Sequence, residues 1–450
     1  MANGFKLKKG LDINLKGKAE KKLVDTPRSE EYALLPAAFE GVTPRVVVHE
    51  GDHVLAGDPL FQNKNCQDVT FASPVSGEVT AVVRGERRKV LCVKVKADKE
   101  QAYQDYGKAD PAQLDGDGVK QALLKAGLFG YINQLPYAVS TTPDTTPKGI
   151  FVSALRDMPL AADFEVELQG NEEAFQTGLK ALNRIAPVHL GVGAKQASPV
   201  LTAAKDVDLN VFDGPCPAGN VGVQVNHIAP VNKGEVVWTV DPTAVIFFGR
   251  LFLTGKVDLR RTIAVAGSEV TEPSYTEVLV GTPLKDILAG RLKGTEHVRI
   301  LDGNPLTGKV STLDDYLGAH TSEVTAIPEG DDVDETLGWI LPRMKEFSVS
   351  RSYCSWLQGK SHEYDLDARV KGGERHIIMS GEYDRVLPMD IYGEYLIKSI
   401  IAGDIDKQEQ LGIYEVSPED FAVAEFVDSS KLELQKIVRE GLNILRKENA

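Results

Sequence analysis

Residues 208–240, DLNVFDGPCPAGNVGVQVNHIAPVNKGEVVWTV, decide how the rest of the chain is read. Asp208–Phe212 is an apolar run of the length expected for a buried strand. Asp213-Gly214-Pro215 ends it. Pro215 and Pro217 fix their own φ and restrict the residues before them, while Gly214 and Gly219 are free to take φ > 0. This predicts a rigid loop at a strand's carboxyl end, with the N–H groups of Ala218, Gly219 and Asn220 turned outward. In an open α/β sheet that is where ligands and partners dock. A tight turn with no ligand accounts for the same residues. The stretch that follows reads as another strand, carrying His227.

The residues before this stretch alternate strand and helix. Gly149–Leu155 (GIFVSAL) reads as a strand, Asn171–Ile185 as a helix, Pro187–Gly193 as a strand and Ser198–Val207 as a helix. Asn171 stands at a cap position with Glu172 and Glu173 in the first turn, as the helix dipole prefers. Such alternation implies a Rossmann-like parallel sheet. Gly191-Val192-Gly193 begins a dinucleotide fingerprint, but its third glycine is replaced by Gln196, so the fingerprint fails. Val119–Leu128 reads as a helix before this unit, and Pro242–Gly255 after it as a buried helix or a strand.

Residues 1–22 form a basic, glycine-punctuated leader, too polar to fold alone, expected to lie as an arm on the body or on a neighbour. Between Tyr32 and Lys96 short alternating strands and Gly-Asp turns resemble a biotinyl/lipoyl barrel sandwich. Lys64 lacks the flanking hairpin signature of a carrier lysine, so the module is read as a structural or docking barrel. Arg261–Val270 reads as a strand, and Val278–Leu292 as strand, turn and helix. Met389–Asp404 and Ser429–Glu448 carry helical apolar spacing.

Composition bounds the function. The 450 residues suffice for two to four domains. A hydrophobic content of 42% with 26% charged residues is ordinary for a soluble chain. A net charge of −14 argues against nucleic acid as a partner and against electrostatic adhesion to anionic lipid. The N-terminus lacks a signal-peptide core, and the most apolar stretch, Val236–Leu253, is broken by Asp241, Pro242 and Arg250, so no membrane span is expected. Cys66, Cys92, Cys216 and Cys354 lie far apart without ligand spacing, as befits reduced thiols in a cytoplasmic protein. The eight histidines show no metal-binding pattern. Nucleophile elbow, Cys/His signature and Walker loop are all absent, and no catalytic residue is identified.

The segments GP-x-PAGN-x-G at 214–222, His227, the run to Val-Trp at 237–238 and the N-terminal KLKKGLDINLKGKA together resemble the cytoplasmic A subunits of the Na+-translocating NADH:quinone reductases. The resemblance covers nearly the whole chain and reaches more distantly to the Rnf complex and the flavoprotein subunit of complex I. Cys216 stands where relatives commonly have His. The resemblance implies an α/β and α+β multidomain chain in four units. These are an arm and barrel sandwich at 1–102, a Rossmann-like domain at 103–256, a soluble-ligand-binding β-grasp domain at 257–330 and a helical domain at 331–450. It implies a cofactor-free scaffold in a six-subunit respiratory translocase at the bacterial cytoplasmic membrane, with flavins and iron–sulfur centres on the other components. The integral membrane B subunit is the implied neighbour among the other five. Related C-terminal domains hold an iron–sulfur cluster through cysteines, and none follows Cys354 here. Ubiquinone or menaquinone contact, or contact with a partner protein, is implied at Gly214, Pro215, Pro217, Ala218, Gly219, Asn220 and His227. The imidazole of His227 would there donate to a quinone carbonyl; alternatively it satisfies a backbone carbonyl in the core. A free-standing flavin or NADH dehydrogenase and an Rnf-type electron-transport protein are the alternatives, opposed by the failed fingerprint and the missing cysteines.

Overall fold

A computed structural model describes residues 2–333 and 340–449. Its centre is a seven-stranded sheet in the order Asn3–Lys6, Asp208–Asp213, Val188–Gly193, Ile150–Ser153, Val237–Val240, Ile132–Leu135, Val139–Ser140. The first five strands run parallel, Ile132–Leu135 runs antiparallel to them, and Val139–Ser140 turns back antiparallel to Ile132–Leu135. Ile150–Ser153 and Val237–Val240 are buried at every position. That is the signature of parallel strands covered on both faces.

Glu172–Ile185 and Pro242–Thr254 pack against each other on this sheet. Pro242–Thr254 is a helix because both its ends are coded. Asp241 accepts from the Thr243 N–H at 2.9 Å, Pro242 occupies the first turn, and Gly255 closes the helix in the left-handed conformation. Burial of ten of its thirteen residues removed the periodicity that would have distinguished it from a strand. Gly249 allows the close approach: a Cβ there would lie 1.7 Å from the Ala174 carbonyl oxygen.

Several expected elements differ. The helix at 119–128 spans Gly116–Lys125, because Asp115 caps it by accepting from the Gly118 N–H at 2.7 Å. Asn171 precedes its helix, but its side chain donates to the Glu167 carbonyl and accepts from Arg250 instead of capping. Ser198–Val207 shrinks to the single turn Pro199–Thr202, and Asp206 turns left-handed before the next strand. Val221–Ile228, read as a strand, is a helix. Its alternating valines mimic a strand, yet Gly222–Asn226 are all buried, so no polar face marks the helical period.

The leader lies on the body. Asn3–Lys6 adds a parallel edge strand to Asp208–Asp213, and Phe5 stacks on Phe212 at 4.9 Å. Beyond it Leu15 bridges to Tyr364 and Leu23 to Tyr275. The barrel sandwich comprises a four-stranded and a three-stranded sheet between Glu31 and Ala97. Phe39, Phe61 and Phe71 fill it, and its core is continuous with that of the central sheet. Lys64 sits exposed in the turn between Pro59–Asn63 and Cys66–Ala72.

The β-grasp unit has five strands in the order Ser274–Leu279, Arg260–Ala266, Glu323–Pro328, Val298–Asp302, Lys309–Ser311, with one helical turn at Leu284–Ile287. In the carboxyl-terminal region, Gly393–Ala402 and Leu434–Glu448 are the main helices, shorter than the apolar spacing predicts. They share an apolar cluster with Leu7, Phe212, Cys216, Ala218 and Val223, so this region closes over the loop 214–220. Among the described residues no helix is long and apolar enough to cross a membrane.

Candidate functional site: a cleft at the carboxyl end of the sheet

From Ile150–Ser153 the chain proceeds to two strands on one side, then returns to Val237–Val240 on the other. The carboxyl ends of these two neighbours therefore flank a topological switch point, where open α/β sheets form a crevice. A cleft of about 550 Å³ lies there. The sheet ends supply Ser153, Leu155–Met158 and Thr239–Pro242, the loop and following helix supply Gly219–Gly222, the β-grasp unit supplies Asp302–Asn304 and His320–Glu323, and the carboxyl-terminal region supplies Ser417–Glu419 and Arg439.

The loop 214–220 is rigid, but not for the expected reason. Neither Gly214 nor Gly219 has positive φ. Their lack of a side chain permits close packing: a Cβ on Gly219 would meet Asp157 Oδ1 and the Leu155 oxygen at 2.6 Å, and one on Gly214 would meet Leu7 Cβ at 2.7 Å. The amides do not point outward to a ligand either. Ala218 N–H donates to the Pro215 carbonyl, Asn220 N–H to the Pro217 carbonyl, and Gly219 N–H to Asp157 Oδ2 at 2.9 Å. Gly214 is exposed, Pro215 half-buried, and Cys216, Pro217 and Ala218 are buried. Only Gly219 and Asn220 of this loop line the cleft.

His227 is elsewhere. Half-buried on the helix Val221–Ile228, it contacts the Val223 carbonyl through Nδ1 at 2.9 Å and packs edge-on to Phe5 and Phe212. The contact lies within its own helix, and the ring is not among the residues lining the cleft. The Cys216 thiol lies 3.6 Å from Met158 Sδ, and burial, reinforced by Asp157 and Asp12, pushes its pKa far up. It is therefore held as an unreactive thiol.

The charged residues of the cleft were not singled out in the sequence. Arg156 lies between Glu167 at 3.3 Å and Asp241 at 3.4 Å, and also donates to Thr243 Oγ1. Asp157 Oδ1 is buried without a partner, and burial, with Asp12 adding repulsion, raises that carboxyl to about 6. His320 Nε2 is likewise unpartnered, and burial pushes this imidazole down to about 4. Asp420 accepts from the N–H and hydroxyl of Ser417, both at 2.8 Å, and from Asn220. Gly222 admits it, since a Cβ there would meet Asp420 Oδ2 at 2.2 Å. Glu419 and Asp420 are both raised, desolvation being the main cause and their mutual repulsion adding to it at Glu419. Glu40, Asp157, Asp241, Asp302, Glu323 and Glu419 thus face a cleft that holds the cations Arg156 and Arg439.

The position of the failed fingerprint is filled. Gln196 Oε1 accepts from Gly193 N–H at 2.7 Å, and its Nε2 donates to the Ala154 carbonyl at 2.9 Å. Glu165 Oε1 accepts from the N–H groups of Ala197 and Ser198 at 2.8 and 2.6 Å. A carboxylate of the chain itself therefore occupies amides that could otherwise hold a phosphate oxygen. Signals for these residues existed: Arg156-Asp157 directly follows an apolar strand, and Ser417-Pro418-Glu419-Asp420 is a capping-box sequence. Away from the cleft, exposed His297, Asp331 and Asp332 place potential ligand atoms within 4.8 Å of one another, the one such trio among the described residues.

The fold and cleft together define a class: a multidomain α/β protein on a nucleotide-type sheet whose fingerprint amides are taken by its own side chains. Three family models match: the NqrA N-terminal barrel-sandwich hybrid domain at residues 5–98, the NqrA second alpha/beta domain at 114–257, and the NQRA C-terminal domain at 262–312. The chain is 34% identical to the Na(+)-translocating NADH-quinone reductase A subunit of Yersinia pestis bv. Antiqua (strain Angola) over 449 residues, 99% of this chain and all of that one. The same identity and coverage hold for its counterpart in Neisseria meningitidis serogroup B (strain ATCC BAA-335 / MC58). The chain belongs to the family of Na(+)-translocating NADH-quinone reductase A subunits. An NAD+-reducing [NiFe]-hydrogenase in its H2-reduced state aligns at 14% identity with a TM-score of 0.37, over 74% of this chain and 61% of its own.

Proposed function

We propose that this chain is the peripheral, cytoplasmic A subunit of a six-subunit respiratory pump that couples NADH oxidation and quinone reduction to sodium export. Its role there is that of a cofactor-free scaffold, in the four units 1–102, 103–256, 257–330 and 331–450. Flavins and iron–sulfur centres are carried by the other components, and its neighbour is the integral membrane B subunit. The observation that carries this reading is the state of the fingerprint. Gln196 and Glu165 satisfy the amides a pyrophosphate would need, and the acidic lining of the adjoining cleft repels phosphate. A neutral ligand escapes that repulsion, so the cleft suits a quinone headgroup near Gly219 and Asn220.

The test is co-purification from membranes in mild detergent, with partners identified by mass spectrometry and flavin measured after denaturing release of the separated chain. Partner subunits and a colourless chain are expected. Stoichiometric flavin or NADH binding by the isolated chain overturns the scaffold reading. Deletion of the integral subunits should release most of the chain from membranes, because protein contacts are its principal attachment. Photo-crosslinking with a ubiquinone analogue, mapped to residues lining the cleft, tests the quinone contact.

A further inference from the structure

Residues 340–360 form a knob at the surface of the carboxyl-terminal region. Its two limbs are tied together where Cys354 N–H donates to the Pro342 carbonyl at 2.9 Å and Gln358 Nε2 donates to the Met344 carbonyl. Its root is Phe347, edge-on to Tyr364 at 5.2 Å and to Phe426 at 5.6 Å, beside the ion pair Glu346–Lys371 at 3.1 Å. Its tip is apolar in the open. Ile340 is 63% exposed, Leu341 53%, Trp356 47% and Leu357 64%.

Lys345, Arg351 and Lys360 stand on this knob, and Glu346, the carboxylate within it, is engaged by the root ion pair. Arg343 lies over the Tyr353 ring and Arg351 over Trp356, each at 5.3 Å. Residues 340–360 carry a formal charge of +3 in a chain of −14, and the carboxylates Asp365 and Asp367 that follow them are paired with Lys16 and with Arg369 and Lys371. An apolar tip with an aromatic ring, set among lysines and arginines, is the pattern of a membrane–water interface, where the ring sits at headgroup depth and the cations meet anionic lipid.

We propose that this knob rests on the surface of an anionic bilayer, its tip in the headgroup layer, and gives the chain a lipid contact of its own. The proposal rests on the peripheral placement argued above, but its test needs no partner protein. The purified full-length chain is floated with vesicles of phosphatidylglycerol and phosphatidylcholine, and with phosphatidylcholine alone, at low and high salt. Two double variants accompany it, Trp356→Ser with Leu357→Ser, and Lys345→Glu with Lys360→Glu.

The wild-type chain is expected to float several-fold more with the anionic vesicles, and high salt should reduce the effect. Each double variant is expected to lose most of that flotation while keeping the wild-type melting temperature and its association with partner subunits. A wild-type chain that stays unfloated with anionic vesicles, or variants that float like wild type, overturns the proposal. So does loss of partner subunits from the Trp356→Ser, Leu357→Ser variant with flotation unchanged, which assigns the knob to a protein partner. Flotation as expected from a chain that never co-purifies with integral subunits supports the lipid contact and defeats the complex-subunit reading alone.

Discussion

Asp157→Asn is the substitution whose outcome the cleft determines most directly. In the folded chain one carboxylate oxygen accepts from the Gly219 N–H at 2.9 Å, while the other is buried without a partner. Burial, and secondarily Asp12, raises the group from 3.8 to about 6. The folded state therefore holds this proton more tightly than the unfolded state does. The destabilisation is absent below about pH 4, grows as pH rises towards about 6, and is constant above that. Fully expressed, such a shift corresponds to about 3 kcal/mol, and discounting for relaxation and solvent screening leaves roughly 1–2 kcal/mol. Asparagine keeps an acceptor for Gly219 and removes the charge. Hydrogen exchange of a peptide spanning the loop, corrected for intrinsic rates, reads the local opening free energy at about pH 4.5 and about pH 7.5. At the higher pH the variant should gain roughly 1–2 kcal/mol of protection, and at the lower pH most of that gain should vanish. A variant less protected than wild type at the higher pH, or equally favoured at both, refutes the reasoning.

Gly219→Val should lower the melting temperature of the isolated chain, reflecting about 1–3 kcal/mol of overpacking against Asp157 and Leu155, and should reduce quinone reduction or assembly of the pump. Wild-type melting would show that the loop is not tightly packed. Gln196→Ala strips the partners from the Gly193 N–H and the Ala154 carbonyl, and should cost about 1–3 kcal/mol in urea denaturation without conferring NADH or flavin binding in an absorbance titration. Acquired binding would mean that this side chain alone excludes nucleotide. His227→Ala should reduce stability by roughly 1–2 kcal/mol through lost packing on Phe5 and Phe212, with quinone reduction per assembled complex unchanged. Lower quinone reduction at full assembly would place the imidazole back at the ligand.

Residue order alone was enough for the strand at 208–212, the parallel alternation around it, the failed fingerprint at Gln196 and the family. Each of these is local: a run of apolar residues, a spacing of glycines, a set of adjacent motifs. Three-dimensional packing resolved what such patterns leave degenerate. Val221–Ile228 and Pro242–Thr254 are buried on nearly every side, so helix and strand leave the same apolar imprint there. Gly214 and Gly219 were open to a reading as turn-formers, but contact with Leu7 and with Asp157 requires their missing side chains. The loop is contiguous in sequence, whereas its partners come from 62 and 200 residues away in the hydrogen bonds Gly219–Asp157 and Asn220–Asp420. No periodicity records such a distance. The cleft exists only once the sheet brings the ends of Ile150–Ser153 and Val237–Val240 together under the β-grasp and carboxyl-terminal units, because burial, and not residue type, shifts its carboxyls and its histidine.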